Sequence, residues 1–145
     1  MNKTTKIIVW IIVLVLVVWG LLTLKKDDPT LDAKDGYSIG SVIPLSVNAA
    51  SYGEPYAEGM QMAVDDVNKA GGINNKKLSL YVEDGQFFGA KSVSAAQDIL
   101  SLHNPDVMHA IFDLPGHAIS PVVLAAGKPF MLWDYARGVL DSNPL

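Results

Sequence analysis

The hydrophobic positions of residues 38–133 alternate between a strand-like and a helix-like period. Short apolar or alternating runs are typical of strands, and apolar residues three or four apart are typical of helices. The predicted strands cover residues 38–44, 77–83, 106–112 and 129–133. The predicted helices cover residues 53–70, 90–102 and 115–126. This order, β-α-β-α-β-α-β, predicts parallel strands joined by right-handed helical crossovers.

The first predicted helix is the most regular. One face carries its apolar residues, which are Tyr56, Met60, Ala63, Val64 and Val67. Gly71 and Gly72 end this helix, because glycine tolerates the left-handed conformation of a C-cap. The third helix is predicted to begin at residues 115–116, or near Ser120 if Pro121 is to lie in its first turn. The fold class is therefore α/β, with a parallel sheet covered by helices on both faces.

The N-terminal segment has no polar face. Residues 7–24 carry no charge, and a helix of that length would span about 27 Å, close to the thickness of a hydrocarbon core. Trp10 and Trp19 lie towards its two ends, where aromatic rings favour a membrane interface. We expect an uncleaved signal anchor with a cytoplasmic tail at residues 1–6, a linker at 25–37 and an exported domain at 38–145. The alternative is a cleaved signal peptide, although no Ala-x-Ala site follows the apolar run.

The amino-acid composition excludes several classes of function. The chain has no cysteine, which excludes disulfides, a thiolate nucleophile and a cysteine metal site. Eleven Lys and Arg residues stand against fifteen Asp and Glu residues, and four of the basic residues flank the N-terminal apolar segment. The remaining domain is strongly acidic. It is therefore a poor candidate for binding nucleic acid or anionic lipid.

The sequence shows no catalytic constellation. The first strand is not followed by a Gly-x-Gly-x-x-Gly dinucleotide motif, and there is no phosphate-binding P-loop. His103, His109 and His117 lack the spacing of metal ligands. Glu83 and Asp84 could form an acid–base pair, but a strand end at which Asp84 caps backbone amides is the simpler interpretation. No enzyme activity, cofactor or metal is therefore predicted.

Five sequence motifs follow one another between residues 39 and 84. They are Ile39-Gly-Ser-Val-Ile-Pro-Leu45, Tyr52-Gly-Glu-Pro55, Gly59-Met-Gln-Met-Ala-Val-Asp-Asp-Val-Asn68, Ala70-Gly-Gly-Ile-Asn-Asn-Lys-Lys-Leu78 and Val82-Glu-Asp84. In these motifs the chain resembles the start of a type I periplasmic binding protein, of the branched-chain amino acid (Leu/Ile/Val) receptor group of ABC importers. The resemblance implies an extracytoplasmic protein that delivers a small polar solute, an amino acid or a related compound, to an ABC permease.

Ligands of open α/β sheets bind outside the carboxyl ends of the strands, which here selects the loops at residues 45–52, 85–89, 113–118 and 134–137. The resemblance places Tyr52 at the cleft. In the family, the loop after the third strand holds an α-carboxylate with serine hydroxyls and amides. Gly116 and His117 stand in place of those serines, which argues against an α-amino acid ligand. The amides of Gly116 and His117 could still hold an anion.

The fourth loop also departs from the family pattern. Where the family commonly has Ser-Ala-Thr, this chain has Trp133, Asp134, Tyr135 and Ala136, and only Ala136 fits. Trp133 or Tyr135 could stack on a ligand, and Asp134 could pair with a cation. The equal alternative is that Trp133 closes the core and Tyr135 lies on the surface.

Family receptors have two lobes that close on the ligand, and this chain would supply only part of the first lobe. We therefore expect a partial sequence; the alternative is a short membrane-tethered domain that pairs with another chain. A sensor ectodomain with the same fold is the second functional hypothesis. An α/β enzyme is the third, and it would need a catalytic cluster in the cleft loops.

Overall fold

The computed structural model describes residues 13–15 and 32–133. The chain separates into two compact units, Met1–Thr30 and Leu31–Leu145. In the first unit, residues 13–15 are helical and exposed. Within the described residues, no helix is both long and apolar enough to cross a membrane. The span predicted at residues 7–24 lies outside those residues, apart from 13–15.

The second unit has the predicted order of elements. Its strands are β1 (Asp32–Ile43), β2 (Lys76–Asp84), β3 (Val107–Ile111) and β4 (Phe130–Trp133). Its helices are α1 (Ala50–Lys69), α2 (Gly89–His103) and α3 (Asp113–Ala125), and a short 3-10 helix at Val47–Ala49 precedes α1. The strands form one sheet in the order β2-β1-β3-β4, and every pairing is parallel. The predicted parallel α/β sheet is confirmed.

Three boundaries differ from the sequence pattern by more than one residue. Strand β1 begins at Asp32, inside the segment predicted as a linker. The reason is that its backbone pairing with β2 extends beyond the apolar run, as far as Asp32 opposite Lys76. Helix α1 begins three residues before the predicted Gly53. The predicted start of α3 is wrong, because the helix begins at Asp113 and contains Pro121 in its interior. Pro121 is exposed there. Pro115 lies in the first turn, where a backbone amide would have no hydrogen-bond acceptor within the helix.

The main core lies between the sheet and helices α2 and α3. Its buried side chains are Val42, Ala95, Ala96, Ile99, Met108, Ala110, Ile119 and Val123. Helix α1 packs on the opposite face of the sheet, where Val64 is buried. Ala63, predicted to lie on the buried face of α1, is exposed, so the buried stripe is narrower than the periodicity indicates.

The α1 face of the sheet contains a buried polar cluster. His109 on β3 is only 4% exposed. Its Nδ1 lies 2.8 Å from the Ser41 hydroxyl and its Nε2 lies 3.1 Å from the Tyr56 hydroxyl, and the Tyr56 ring stacks on the imidazole. A neutral imidazole has one donor and one acceptor, so a hydroxyl on each side satisfies either tautomer. The prediction that His109 is a strand residue facing a helix is confirmed.

Glycine allows α1 to approach the end of β1 closely. A Cβ atom at Gly53 would lie 1.8 Å from the carbonyl oxygen of Pro44, far inside van der Waals contact. This approach fixes the first turns of α1 against the chain as it leaves the sheet. The segment between β1 and α1 is thereby held at the carboxyl edge of the strands.

Candidate functional site

A cleft of about 420 Å³ lies at the carboxyl edge of the sheet. Its walls come from the segments that follow β1, β2 and β3. The lining residues are Val47, Asn48, Ala49, Tyr52, Gln86, Phe87, Phe88 and Phe112. They are mostly apolar, two carry neutral amide groups, and within the described part of the chain none of the lining residues carries a charged side chain.

The strand order explains why a cleft opens here. From β1 the chain crosses to β2 on one side, and it then crosses back to β3 on the other side of β1. The segments after β1 and β3 therefore diverge, and such a reversal is where ligands bind in open α/β sheets. Two of the loops predicted from this rule, residues 45–52 and 85–89, supply most of the lining.

Asp84 joins the first two loops of the cleft. Its Oδ1 accepts hydrogen bonds from the Leu45 amide at 2.8 Å and the Gln86 amide at 2.9 Å. Partial burial by itself would raise the pKa of Asp84, but these hydrogen bonds and the nearby Ser46 outweigh it and hold the pKa below its usual value. The Ser46 hydroxyl lies beside the carboxylate and also lowers its pKa, although the two groups do not form a hydrogen bond of good geometry. The prediction that Asp84 caps backbone amides is confirmed.

We expect Asp84→Ala to lower the free energy of unfolding by about 2 kcal/mol at neutral pH, because two amides lose a charged acceptor. The difference from the unsubstituted protein should shrink below about pH 4, where the carboxylate gains a proton and its contribution is lost. Urea denaturation at several pH values measures it. Glu83→Ala, an exposed neighbour, is the control and should change stability by less than about 0.5 kcal/mol. Equal effects of the two substitutions would contradict this role.

The backbone is strained around the cleft. Among the described residues, Val47, Gln86, Phe87 and Phe112 line it with positive φ angles of 55°, 51°, 62° and 72°. Such conformations are uncommon for residues other than glycine, and most of all for a β-branched valine. Phe112 combines its φ with a ψ of 151°, a region occupied almost only by glycine. Strain of about 1–3 kcal/mol per residue persists where the surroundings enforce it, often at ligand sites.

Two of these strained residues hold aromatic rings against each other. The rings of Phe87 and Phe112 meet edge to face, with centroids 5.3 Å apart and planes at 71°. The Phe112 amide donates to the Trp133 carbonyl, and the Phe112 carbonyl accepts from the Gly116 amide. Phe112 is therefore fixed by β4 on one side and by α3 on the other.

The structure places the predicted site residues in different positions. Tyr52 lines the cleft and is 69% exposed. Gly116 is buried inside α3, where a Cβ atom would lie 2.5 Å from a Leu132 methyl group. Its amide already donates within the helix. His117 is exposed on the second turn of α3 and is not part of the cleft lining.

The fourth loop is only partly described. Trp133 ends β4 and stacks on Tyr56 of α1, with ring centroids 5.8 Å apart, while 53% of its surface is exposed. It lies outside the lining of this cleft. Asp134, Tyr135 and Ala136 lie beyond the described residues, so their part in a site stays a prediction.

The sequence pattern did not single out the aromatic lining. Gln86, Phe87 and Phe88 lie in a loop that the strand-end rule selects, but no motif marks them individually. Phe112 was assigned to the end of the third strand. The available signal for a binding surface was the pair of adjacent phenylalanines, Phe87 and Phe88. They lie in a polar loop, where no core requires them.

Comparison with known proteins identifies this arrangement. The sequence model of the periplasmic binding protein family matches residues 36–143. The chain belongs to the periplasmic binding protein family. The resemblance to its type I, branched-chain amino acid group is confirmed by relatives that are named as Leu/Ile/Val-binding proteins, and solved structures share the fold.

Three examples show the extent of this likeness. The Leu/Ile/Val-binding protein BraC3 of Rhizobium johnstonii is 38% identical over 87 residues, which are 54% of this chain and 24% of BraC3. The substrate-binding protein LivJ of Streptococcus pneumoniae, solved with isoleucine, has a TM-score of 0.68 at 22% identity over 74% of this chain and 32% of LivJ. A type 1 periplasmic binding protein of Bordetella pertussis has a TM-score of 0.59 at 28% identity, covering 67% and 26% of the two chains.

This periplasmic binding protein chain spans between 10% and 26% of the length of the curated relatives that it matches. Its relatives and structural neighbours are solute-binding proteins and not enzymes, in agreement with the sequence prediction. Within the described residues, no group of acidic residues and histidines could hold a metal ion.

Proposed function

We propose that this chain forms part of the ligand-binding lobe of an extracytoplasmic solute receptor. The observation that carries this proposal is the cleft at the carboxyl edge of a parallel sheet, in a chain that belongs to the periplasmic binding protein family. Its relatives are named as Leu/Ile/Val-binding proteins. The receptor would pass a small solute to an ABC permease in the membrane.

The same proposal includes the N-terminal segment. The uncharged run at residues 7–24 would hold the receptor at the outer side of the membrane as a signal anchor, or would act as a signal peptide. Alkaline extraction of membranes tests this directly. An anchored protein stays in the pellet, whereas release of the protein into the supernatant would contradict the anchor.

Ligand binding by the full-length protein tests the receptor function. We expect at least one solute from a panel of amino acids, amides and small aromatic compounds to bind saturably in isothermal titration calorimetry. Tyr52→Ala should weaken that binding several-fold, because Tyr52 contributes a large exposed ring to the cleft.

The matched control is Tyr81→Ala. Tyr81 lies on β2, outside the cleft, where it stacks on His103. This substitution should leave the affinity unchanged. No saturable binding of any solute, with a folded protein by circular dichroism, would overturn the receptor function.

A further inference from the structure

The cleft has the chemistry of a site for an uncharged ring. Four aromatic side chains line it, and the exposed fractions of Phe88 and Phe87 are 57% and 37%. Aromatic rings in that number are unusual on the surface of a loop, where they leave apolar area in contact with water. A solute with an aromatic body would cover this area and meet the rings in edge-to-face or offset-stacked contacts.

The charges around the cleft disfavour a carboxylate. Among residues 32–133, no Lys, Arg or His lines the cleft. Asp84 is ionised at neutral pH beside Gln86, and Asp113 follows Phe112 as the first residue of α3. Asp113 also takes the position at which the dipole of α3 would favour an anion. In the described lining a ligand carboxylate would therefore meet no positive side chain, and Asp84 and Asp113 place two carboxylates next to lining residues.

The same groups offer little to a cation. The Asp84 carboxylate is engaged by two backbone amides and does not line the cleft. The rings of Phe112 and Phe87 are already in edge-to-face contact, so less ring surface is left for a cation. Among the described residues, the polar side chains that line the cleft are the amides of Asn48 and Gln86 and the hydroxyl of Tyr52, which can donate to and accept from neutral hydroxyl or carbonyl groups.

Backbone strain supports a role for the two central rings. Phe112 adopts a conformation that glycine favours and yet carries the bulkiest kind of side chain, and Phe87 also has a positive φ. Packing around them, rather than local preference, brings the rings together at the carboxyl edge. Rings held in this way lose little freedom when a ligand binds.

We infer that the cleft takes a neutral aromatic solute, a ring with a hydroxyl or carbonyl substituent and no α-carboxylate, in contact with Phe87 and Phe112. This inference rests on the proposed receptor function and names the class of its ligand.

The test compares three probes with the full-length protein at pH 7 by calorimetry: benzyl alcohol, leucine and tetramethylammonium. We expect benzyl alcohol to bind at least about tenfold more tightly than leucine, with no saturable binding of tetramethylammonium. Phe87→Leu should weaken the binding of benzyl alcohol about three- to tenfold, because an aliphatic side chain cannot replace the ring contact. Phe88→Leu, which replaces a more exposed ring, should also weaken the binding of benzyl alcohol.

Phe130→Leu is the matched control, since Phe130 lies at the amino end of β4 and packs against the core. It should leave the affinity for benzyl alcohol unchanged once circular dichroism confirms the fold. Tighter binding of leucine than of benzyl alcohol overturns this inference but leaves the receptor function standing. Saturable binding of tetramethylammonium, or equal losses in Phe87→Leu and Phe130→Leu, also overturns it. Failure of all solutes to bind removes the receptor function as well.

Discussion

Gly53→Ala should destabilise the protein by about 3 kcal/mol or more. The added methyl group would lie 1.8 Å from the Pro44 carbonyl oxygen and 3.0 Å from an Ile43 methyl group. The nearest obstacle is backbone at the end of β1, so no side-chain rotation relieves it. Helix α1 must move away from the sheet, and the cleft residue Tyr52 must move with it. Urea denaturation followed by circular dichroism measures the loss, and calorimetry with a bound solute should show weaker affinity.

Gly59→Ala provides the matched control in the same helix. A Cβ atom at Gly59 has no heavy atom within 4 Å, so the methyl group meets only solvent. This substitution should raise the free energy of unfolding by about 0.5–1 kcal/mol, because alanine loses less conformational entropy than glycine in a helix. If both substitutions moved the denaturation midpoint in the same direction, the close approach at Gly53 would not be the cause.

The second large effect concerns pH. Burial lowers the pKa of His109 to about 4, whereas an unfolded histidine titrates near its usual value of about 6.5. Between these values the unfolded chain binds a proton that the folded protein does not bind. Stability is therefore full above about pH 6.5 and falls as the pH decreases towards 4. The total loss is about 3 kcal/mol, at up to about 1.4 kcal/mol per pH unit.

The substitution His109→Gln should flatten this pH dependence, because glutamine does not titrate and can still hydrogen-bond to the hydroxyls of Ser41 and Tyr56. The measurement is the slope of the unfolding free energy between pH 4.5 and pH 6.5, obtained from urea denaturation. His103→Gln is the control, since His103 is exposed at the end of α2. An unchanged slope in His109→Gln would show that other groups cause the pH dependence.

The architecture of residues 32–133 follows from hydrophobic periodicity because buried strands and amphipathic helices impose their period on the sequence. Local chemistry also located Asp84, since a carboxylate at a strand end readily accepts from turn amides. The start of α3 could not be predicted in this way. Pro121 indicates a helix start by local rules, but packing of the buried Ile119 and Val123 against the sheet continues the helix through it.

The cleft was harder to predict than the fold. Two of the four loops that the strand-end rule predicts, residues 45–52 and 85–89, line the cleft, whereas residues 113–118 belong to α3. The orientation of Phe87 and Phe112 depends on positive φ angles that no local preference indicates. The family resemblance predicts Gly116 and His117 as ligand contacts, but neither residue lines this cleft. In the structure Gly116 is needed for the packing of α3 against Leu132. Strain and close packing are set by tertiary contacts, and these are not visible in one sequence.

The all-parallel sheet has a consequence for how the chain reaches its folded state. Since parallel neighbours cannot be joined by a tight turn, no two strands here can pair before at least one whole helix has been made between them. The central strand β1 has to wait for two such crossovers before both of its edges are paired. Folding dominated by such distant pairings is slow compared with that of a helical bundle of similar size. The newly made polypeptide therefore stays unfolded for longer, with unpaired strand edges and apolar surface open to contact by other chains.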